Sequence, residues 1–434
     1  MNKTKTQSAI YIIGMLFFIF GFVTWLNSTL ILYLRLVCEL KTDVQAFLVT
    51  FAFYMSYFLL SMPAAAVLKK TGFKKGMAYG LSIMGAGTFL FIPAASQRSF
   101  PLFLTALFIQ GGGLSLLQTA SNPYISILGP IESAARRISI MGICNKMAGF
   151  LAPIILGFVL LKGSDGIRQK LETIQDPAAR AQLLNELASR VAPPYIVMGI
   201  VLFIVAFLIL RSGLPEIEME SQGQTSKTPE PARKNIFAYP HLLLGVLCIF
   251  LYVGVEVMAG DAIAVYGKSE GMSIATTKNF GSLTLLAMLI GYVVGIACIP
   301  RRFSQQMGLR VSAILGLVFS ALAFLTTGYA AILFIALLGL ANALMWPAIW
   351  PLAIDGLGKH IKTGSAMLVM GIAGGAVIPL IYASLKGNPA IGNKLAFFCC
   401  MFPCYVYIIY YAVRGHMIGR VANQPTVMAA RPEL

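Results

Sequence analysis

Twelve long apolar stretches constrain the fold of this chain more than any other feature of its sequence. A helix that crosses a bilayer needs about 20 consecutive apolar residues. Numbered span 1 to span 12 in chain order, the stretches are 8–36, 43–68, 76–96, 100–128, 137–161, 194–212, 239–266, 277–300, 309–328, 330–355, 364–385 and 391–413. We therefore predict an all-α membrane protein with twelve transmembrane helices in a lipid bilayer.

The composition agrees with a membrane location. Hydrophobic residues make up 58% of the 434 residues and charged residues 11%, whereas soluble domains are about 25% charged. So few charges cannot cover a water-soluble protein, which excludes a cytosolic enzyme and a secreted disulfide scaffold. The seven cysteines form neither a disulfide framework nor a zinc pattern. Because no catalytic constellation is present either, we expect no cofactor, no metal and no enzymatic activity.

The basic residues are distributed as membrane topology requires. The net charge is +17, but Lys and Arg fall in short clusters between the spans, so nucleic acid is not an expected partner. With the N-terminus inside, the inner segments carry 20 of the 33 Lys and Arg residues and the outer segments carry 12. Positive residues favour the cytoplasmic side. We predict a monomeric, multi-pass protein of the cell inner membrane with both termini cytoplasmic.

Matching positions in two parts of the chain indicate an internal repeat. Glycine and proline positions recur between spans 4 and 10 at an offset of 228 residues, and between spans 5 and 11 at 226. The pairs are Gly111 with Gly339, Leu117 with Met345, Pro123 with Pro351, Gly149 with Gly375 and Pro153 with Pro379. We predict two pseudo-symmetric six-helix halves, 1–212 and 239–434, around a central path. A cytoplasmic linker, 213–238, joins them, and the charged outer segment 163–193 is predicted to be partly helical.

Away from the ends of the spans, three charged residues remain: Lys146 in span 5, and Glu256 and Asp261 in span 7. An intramembrane charge costs several kcal/mol unless it is paired or hydrated, so such residues are functional candidates. The alternative for Lys146 and Glu256 is a structural ion pair between the halves, and for Asp261 a solvated helix end. A break in span 7 near Gly254 or Gly260 would bring the two carboxylates together.

Neutral amides are spread along the spans as candidate ligand-binding groups. They are Asn27, Gln118, Asn122, Asn145 and Asn279. An amide offers both donors and acceptors, which suits hydroxyl groups. The indole of Trp346, well inside span 10, offers a flat apolar face on which a sugar ring can stack. The alternative for tryptophans in such a chain is anchoring at the lipid interface, and for Trp350 the two interpretations are equal.

Several motifs together resemble one transporter family. They are the span 4 stretch 118–130, Trp25–Asn27, Tyr252–Gly254, Asn279, the Gly364–Pro379 pattern and the basic loop Lys69–Lys75. The set is similar to the fucose–galactose–hexose symporters of the major facilitator superfamily, over almost the whole chain. The resemblance implies the major facilitator fold and a secondary transporter that imports a hexose by alternating access.

Two departures from the family pattern concern the coupling ion. In the fucose–proton symporters the proton-coupling acids occupy the positions of Ser28 and Gln118, and neither of these residues can carry a proton. Glu256 and Lys146 place the chain nearer the glucose/galactose or N-acetylglucosamine branch. The resemblance therefore leaves the substrate open between a hexose and an amino sugar, and the coupling open between sodium, protons and none.

Coupling is predicted to run through the charges that remain in the spans. Glu256 is the first candidate and Asp261 the second, with Lys146 as a mobile counter-charge. A carboxylate beside an ammonium group keeps its negative charge and is a poor proton carrier at neutral pH, which favours sodium. A non-transporting sugar sensor on the same scaffold is the alternative from a different class, although the chain shows no stretch that resembles a soluble signalling domain.

Overall fold

The computed structural model describes residues 3–127, 134–214, 235–298, 304–357 and 360–419. Within these residues the chain is helical and contains no β-strand. Before the predicted linker the helices are Lys3–Thr24, Asn27–Val37, Asp43–Phe89, Phe91–Ser96, Phe100–Ile127, Ala134–Leu160, Ser164–Thr173, Pro177–Ser189 and Ala192–Arg211. After it they are Pro240–Gly260, Ala262–Ser269, Ile274–Thr277, Phe280–Cys298, Gln305–Leu325, Gly328–Asn342, Met345–Ile354, Ile361–Met370, Gly374–Lys386 and Gly392–Val413, with short 3-10 helices at Ile236–Ala238, Gly371–Ala373 and Gly415–Met417.

The described residues contain 11 helical stretches that are long and apolar enough to cross a membrane. One of them, Asp43–Ser96, is 54 residues long and includes both span 2 and span 3. The backbone leaves the helical region at Gly72, where φ is 76° and ψ is 175°, a conformation that favours glycine. Because this break separates spans 2 and 3, the prediction of twelve transmembrane helices is confirmed.

Local sequence signals explain where several helices begin. Thr42 and Gln45 form a capping box, in which each side chain accepts a hydrogen bond from the backbone N–H of the other at 3.2 Å. Ser304 caps the span 9 helix by accepting from the Met307 N–H at 3.2 Å. The outer segment folds into Ser164–Thr173 and Pro177–Ser189, which confirms the prediction of partial helix.

Two glycines of the predicted repeat play the same packing role in the two halves. Gly111 in span 4 lies against the backbone carbonyl of Phe53 in span 2, and Gly339 in span 10 lies against that of Thr284 in span 8. A Cβ at either position would collide with the facing carbonyl. Small residues of this kind let transmembrane helices approach closely. The equivalent contacts agree with two pseudo-symmetric halves, whereas the predicted linker 213–238 falls mostly outside the described residues.

Three of the described spans are interrupted near the middle of the bundle by a turn between two α-helices, and span 11 contains a 3-10 turn at Gly371–Ala373. The breaks lie between Thr24 and Asn27 in span 1, at Asp261 in span 7, and between Asn342 and Met345 in span 10. An interrupted helix exposes backbone N–H and C=O groups, which inside a membrane must be buried in protein or line a cavity. The breaks in spans 1 and 7 meet each other, where the Trp25 ring packs on Gly260.

The interruption of span 7 follows one of the two predicted glycines. Gly254 remains helical and packs on Ile378 of span 11, whereas the helix ends at Gly260. The Trp25 ring of span 1 occupies the space where a side chain of Gly260 would lie. The prediction of a break in span 7 is therefore confirmed at Gly260 and wrong at Gly254, because Gly254 is needed for close helix packing instead.

Candidate substrate and coupling site

A central cavity lies between the two sets of six spans. Its lining comes from spans 1, 2, 4 and 5 on one side and from spans 7, 8, 10 and 11 on the other. The polar and aromatic lining residues are Phe17, Phe20, Thr24, Trp25, Tyr54, Tyr57, Gln118, Asn122, Asn145, Lys146, Tyr252, Glu256, Tyr292 and Trp346. This mixture of flat apolar faces and hydrogen-bonding groups is typical of a site for a small polar ligand.

An ion pair crosses the cavity between the halves. Lys146 Nζ in span 5 donates to Glu256 Oε1 in span 7 at 2.8 Å. The same oxygen accepts a hydrogen bond from Tyr252 Oη, one turn earlier in span 7, at 2.7 Å. Both charged residues are buried, with exposures of 6% for Lys146 and 8% for Glu256. The predicted pairing is therefore confirmed, and the two charges neutralise each other within the cavity.

Trp25 connects this ion pair to the break in span 1. The Lys146 ammonium lies 4.2 Å from the centroid of the Trp25 ring, within the range of a cation–π interaction. The indole Nε1 donates to Asn145 Oδ1 at 3.3 Å. The ring fits against Gly149 in span 5 and Gly260 in span 7, where any Cβ would overlap it. Trp25 is thus held by both halves.

The amides of spans 4 and 5 reach the cavity as predicted. Gln118 Nε2 donates to Tyr57 Oη of span 2 at 3.1 Å, and Asn122 lies one turn further along span 4. Asn145 Nδ2 donates to the Phe17 carbonyl at 3.4 Å. These hydrogen bonds join neighbouring spans and leave the amides at the cavity wall. There the amides can exchange their protein partners for ligand hydroxyl groups.

The aromatic wall of the second half is formed by span 10. Trp346 lines the cavity and stacks on Trp350, with ring centroids 5.3 Å apart and an interplanar angle of 29°. Tyr252 also lies beside Trp346, at a centroid distance of 6.3 Å. Trp350 has an exposure of only 2%, so it supports Trp346 and does not anchor the protein in the lipid interface.

Two predicted amides lie outside the cavity. Asn27 is completely buried at the break in span 1 and is not part of the lining. Asn279 lies at the start of span 8, with its Oδ1 facing Gly157 of span 5, and it does not reach the cavity either. The structure thus places Asn279 in helix packing, because the turn Lys278–Asn279 joins two helices away from the centre of the bundle.

Asp261 is separated from the ion pair. Its exposure is 0%, which excludes the interpretation as a solvated helix end. It follows Gly260, on which the Trp25 ring packs, and it is not part of the lining. The break in span 7 therefore does not bring Glu256 and Asp261 into one shared site.

Sequence reasoning did not select several tyrosines that the structure places in the site. Tyr54 and Tyr57 of span 2 and Tyr292 of span 8 all line the cavity. Tyr292 packs into the space left by Gly142 in span 5. Tyrosine is common in membrane proteins at the lipid interface, so only its position near the middle of a span could have distinguished these residues.

The chain is similar to known proteins over most of its length. The model of the Major Facilitator Superfamily matches residues 12–381. The chain belongs to this superfamily. Its relatives include a glucose/galactose transporter of Brucella abortus, 32% identical over 95% of this chain and 96% of the relative. An L-fucose–proton symporter of Escherichia coli is 28% identical over 91% of each chain.

A solved structure supports the same assignment. The crystal structure of the superfamily transporter FucP in the outward conformation has a TM-score of 0.73 and 25% identity. The match covers 94% of this chain and 98% of that one. The fold and the resemblance to the fucose–galactose–hexose symporters are thereby confirmed. The superfamily consists of transporters, which agrees with the expectation that the chain is not an enzyme.

Proposed function

We propose that this protein imports a hexose of the glucose/galactose type across the cell inner membrane, by alternating access and together with a cation. The observation that carries the proposal is the central cavity, which combines the amides of Gln118, Asn122 and Asn145 with the indole of Trp346. The names of the relatives, glucose/galactose transporter and L-fucose–proton symporter, support a sugar as the ligand.

The charges in the cavity favour a neutral ligand. Lys146 and Glu256 are bonded to each other at 2.8 Å, so the lining has no net charge among its described residues. A charged ligand would have to separate the pair or remain unpaired itself, which is costly in a buried site. A sugar instead exchanges hydroxyl hydrogen bonds with the amides and covers the Trp346 face.

Alternating access needs contacts between the halves that can open at one end. At the end predicted to face outside, Asp43 in span 2 pairs with Arg35 in span 1 and with Lys386 in span 11. The pair with Lys386 joins the two halves. We propose that this network opens when the cavity faces outward, and that the Lys146–Glu256 pair lies at the centre about which the halves move.

Cation coupling is the finer part of the proposal. Glu256, Asp261 and Lys146 are the intramembrane charges through which a cation can influence sugar binding. The relatives include a proton symporter by name. This chain has Ser28 and Gln118 at the positions that correspond to the proton-coupling acids of the fucose–proton symporters, and neither residue can carry a proton. Sodium remains the favoured cation on the argument that a paired carboxylate is a poor proton carrier.

Uptake by the purified protein in sealed vesicles tests the function directly. We expect labelled glucose or galactose to enter, unlabelled sugar to exchange with it, and an imposed sodium or pH gradient to drive accumulation. N-acetylglucosamine is included as a competitor, because stronger competition by it than by glucose would assign an amino sugar. Absence of exchange with every sugar tested, in protein that remains folded, would contradict the proposal and leave the sensor interpretation.

A further inference from the structure

The crossing of spans 1 and 7 contains polar groups that the sugar cavity does not use. Span 1 resumes as a helix at Asn27, and span 7 is interrupted at Asp261. Both side chains have exposures of 0%. Neither the two carboxylate oxygens of Asp261 nor the two amide atoms of Asn27 have a hydrogen bond of normal geometry. Buried polar groups without partners are rare in native proteins, and each requires an explanation.

The ammonium group of Lys146 does not form a hydrogen bond with Asp261. Lys146 interacts with Asp261 only through space, because its ammonium is already bonded to Glu256 at 2.8 Å and covered by the Trp25 ring. Glu256 Oε1 also accepts from Tyr252, so this oxygen has two bonded partners. Of the two carboxylates in span 7, Asp261 is the one whose charge is buried without a bonded partner, which is costly.

Oxygen atoms of the backbone and side chains gather at the same place. Gly281 in span 8 leaves a gap, in which a Cβ would lie 2.8 Å from the Gly260 carbonyl oxygen and 3.2 Å from Ser28 Oγ. The backbone amide of Ser28 interacts with the Asp261 carboxylate. Ser28 lies in the first turn of the helix Asn27–Val37, whose amide groups favour a negative charge. The amide groups of this helix end therefore lie close to the Asp261 side chain.

We propose that Asp261 is the residue at which the coupling cation binds, in a pocket formed by the breaks in spans 1 and 7. This inference rests on the proposed transport function and deepens it. The pocket combines one carboxylate with neutral carbonyl, hydroxyl and amide oxygens. Such a set suits a single monovalent cation that prefers oxygen ligands, which is a sodium ion or a proton. The Lys146–Glu256 pair then positions the halves and does not carry the cation.

Tyr54 connects this pocket to the sugar. Its hydroxyl interacts with the Asn27 amide and with the Asp261 carboxylate, and its ring lines the cavity. It stacks on Tyr57 at a centroid distance of 6.3 Å, and Tyr57 accepts the hydrogen bond of Gln118. A cation at Asp261 and a sugar at Gln118 thus act on one packed pair of rings, which provides a physical route for each to favour the binding of the other.

The groups that can titrate near Asp261 are few. Within the described residues they are Glu256 on its own span, Lys146 on span 5 and Tyr54 on span 2. Span 8 contributes only the uncharged Gly281 and Thr284, and the Thr284 hydroxyl donates to the Ala259 carbonyl at 2.7 Å.

The competing structural interpretation is that Asp261 only caps the broken helix of span 1. That role would affect stability without any dependence on sodium or pH.

The test compares Asp261→Asn with Asp355→Asn, the same change at an exposed aspartate at the end of span 10, in vesicles. Sugar exchange is measured with and without sodium at constant pH, and at several pH values without sodium. In the unaltered protein one of the two cations should strengthen sugar binding at least about fivefold. A response to sodium identifies sodium as the coupling cation, and a response to pH identifies the proton. Asp261→Asn should exchange sugar but lose this dependence, whereas Asp355→Asn should keep it. Persistence of the dependence in Asp261→Asn would overturn the inference.

A second measurement covers the case in which Asp261→Asn does not fold. The responding cation should raise the thermal stability of the sugar-free protein, and Asn27→Ala should weaken its apparent affinity about tenfold. An unchanged affinity in Asn27→Ala, or sugar exchange and accumulation that respond to neither cation, would also contradict the assignment. Failure of the transport proposal is distinguishable, because in that case the unaltered protein would exchange no sugar at all.

Discussion

Lys146 Nζ and Glu256 Oε1, 110 residues apart in the chain, meet at 2.8 Å in the middle of the bundle. They belong to spans 5 and 7, and so to different halves. With the Trp25 ring on one side and Tyr252 on the other, the pair has little freedom to rearrange while the cavity is as it stands. The free energy that this ion pair contributes is therefore part of what holds the two halves together.

Removing one partner of this pair should be worse than removing both. Lys146→Met or Glu256→Gln leaves one group buried without its partner, and losses of about 3–5 kcal/mol are typical in such cases. The double variant should recover most of the stability, because no charge is then left unpaired. Thermal unfolding of the purified proteins measures this. A double variant less stable than either single variant would show that the pair is not the relevant unit.

The amides give a matched comparison for sugar binding. Gln118→Ala removes a cavity donor, and a buried hydroxyl of the ligand then loses its partner, at a cost of about 1–3 kcal/mol. We expect sugar affinity to fall about tenfold or more. Asn279→Ala removes the same chemical group outside the cavity and should leave affinity unchanged. Equal effects of the two substitutions on binding would place the sugar elsewhere.

The flat face of the Trp346 ring should contribute to sugar binding. Trp346→Ala is expected to weaken sugar binding, since the stacking surface is lost, and Trp346→Phe should keep part of the affinity. Trp350→Ala removes a buried side chain and should lower the free energy of unfolding by about 3–5 kcal/mol. Binding and thermal unfolding are measured on the same preparations. Identical affinities for Trp346→Ala and the unaltered protein would exclude stacking at this position.

The outer ion pairs should control access to the cavity. Asp43→Asn releases Lys386 from span 2, and we expect the outward-open population to increase. The measurement is the rate at which a polar thiol reagent modifies Val253→Cys from outside, in a background without the native cysteines. Glu39→Gln is the control, because its partner Arg180 lies in the same half. Equal rates in the two variants would show that Asp43 does not hold the outer end closed.

Membrane orientation can be tested at two loops. With the N-terminus inside, Lys70→Cys should be labelled only from the cytoplasmic side and Lys41→Cys only from the outside. Gly72 itself is avoided, since its φ of 76° favours glycine. An impermeant reagent applied to intact cells and to inverted vesicles makes the measurement. The opposite pattern would reverse the topology without affecting the fold.

Hydropathy alone was sufficient to predict the spans, because the length of a bilayer-crossing helix is fixed by the bilayer. It could not give the turn at Gly72, where the two helices are separated by one residue whose backbone conformation no hydropathy pattern encodes. The equivalence of Gly111 and Gly339 was predictable from their shared offset, and the structure shows that each meets a facing carbonyl.

The candidate site was predicted less completely than the fold. Lys146 and Glu256 were expected as partners, because unpaired charges in the membrane are costly. Asn27 and Asn279 were expected in the cavity but lie outside it, since the rotation of each span about its own axis decides which side chains face the centre. That rotation depends on packing between distant residues, such as Trp25 against Gly149 and Gly260, and a hydropathy pattern does not contain it.

The chain has three tryptophans, and all of them lie at or beside the central cavity. Trp25 lies beneath the Lys146 ammonium, and Trp346 faces the cavity with Trp350 behind it. The tryptophan emission of the whole protein therefore originates beside one binding site. Occupancy of the cavity can be followed through that emission in the native sequence, without a dye, an isotope or an introduced reporter.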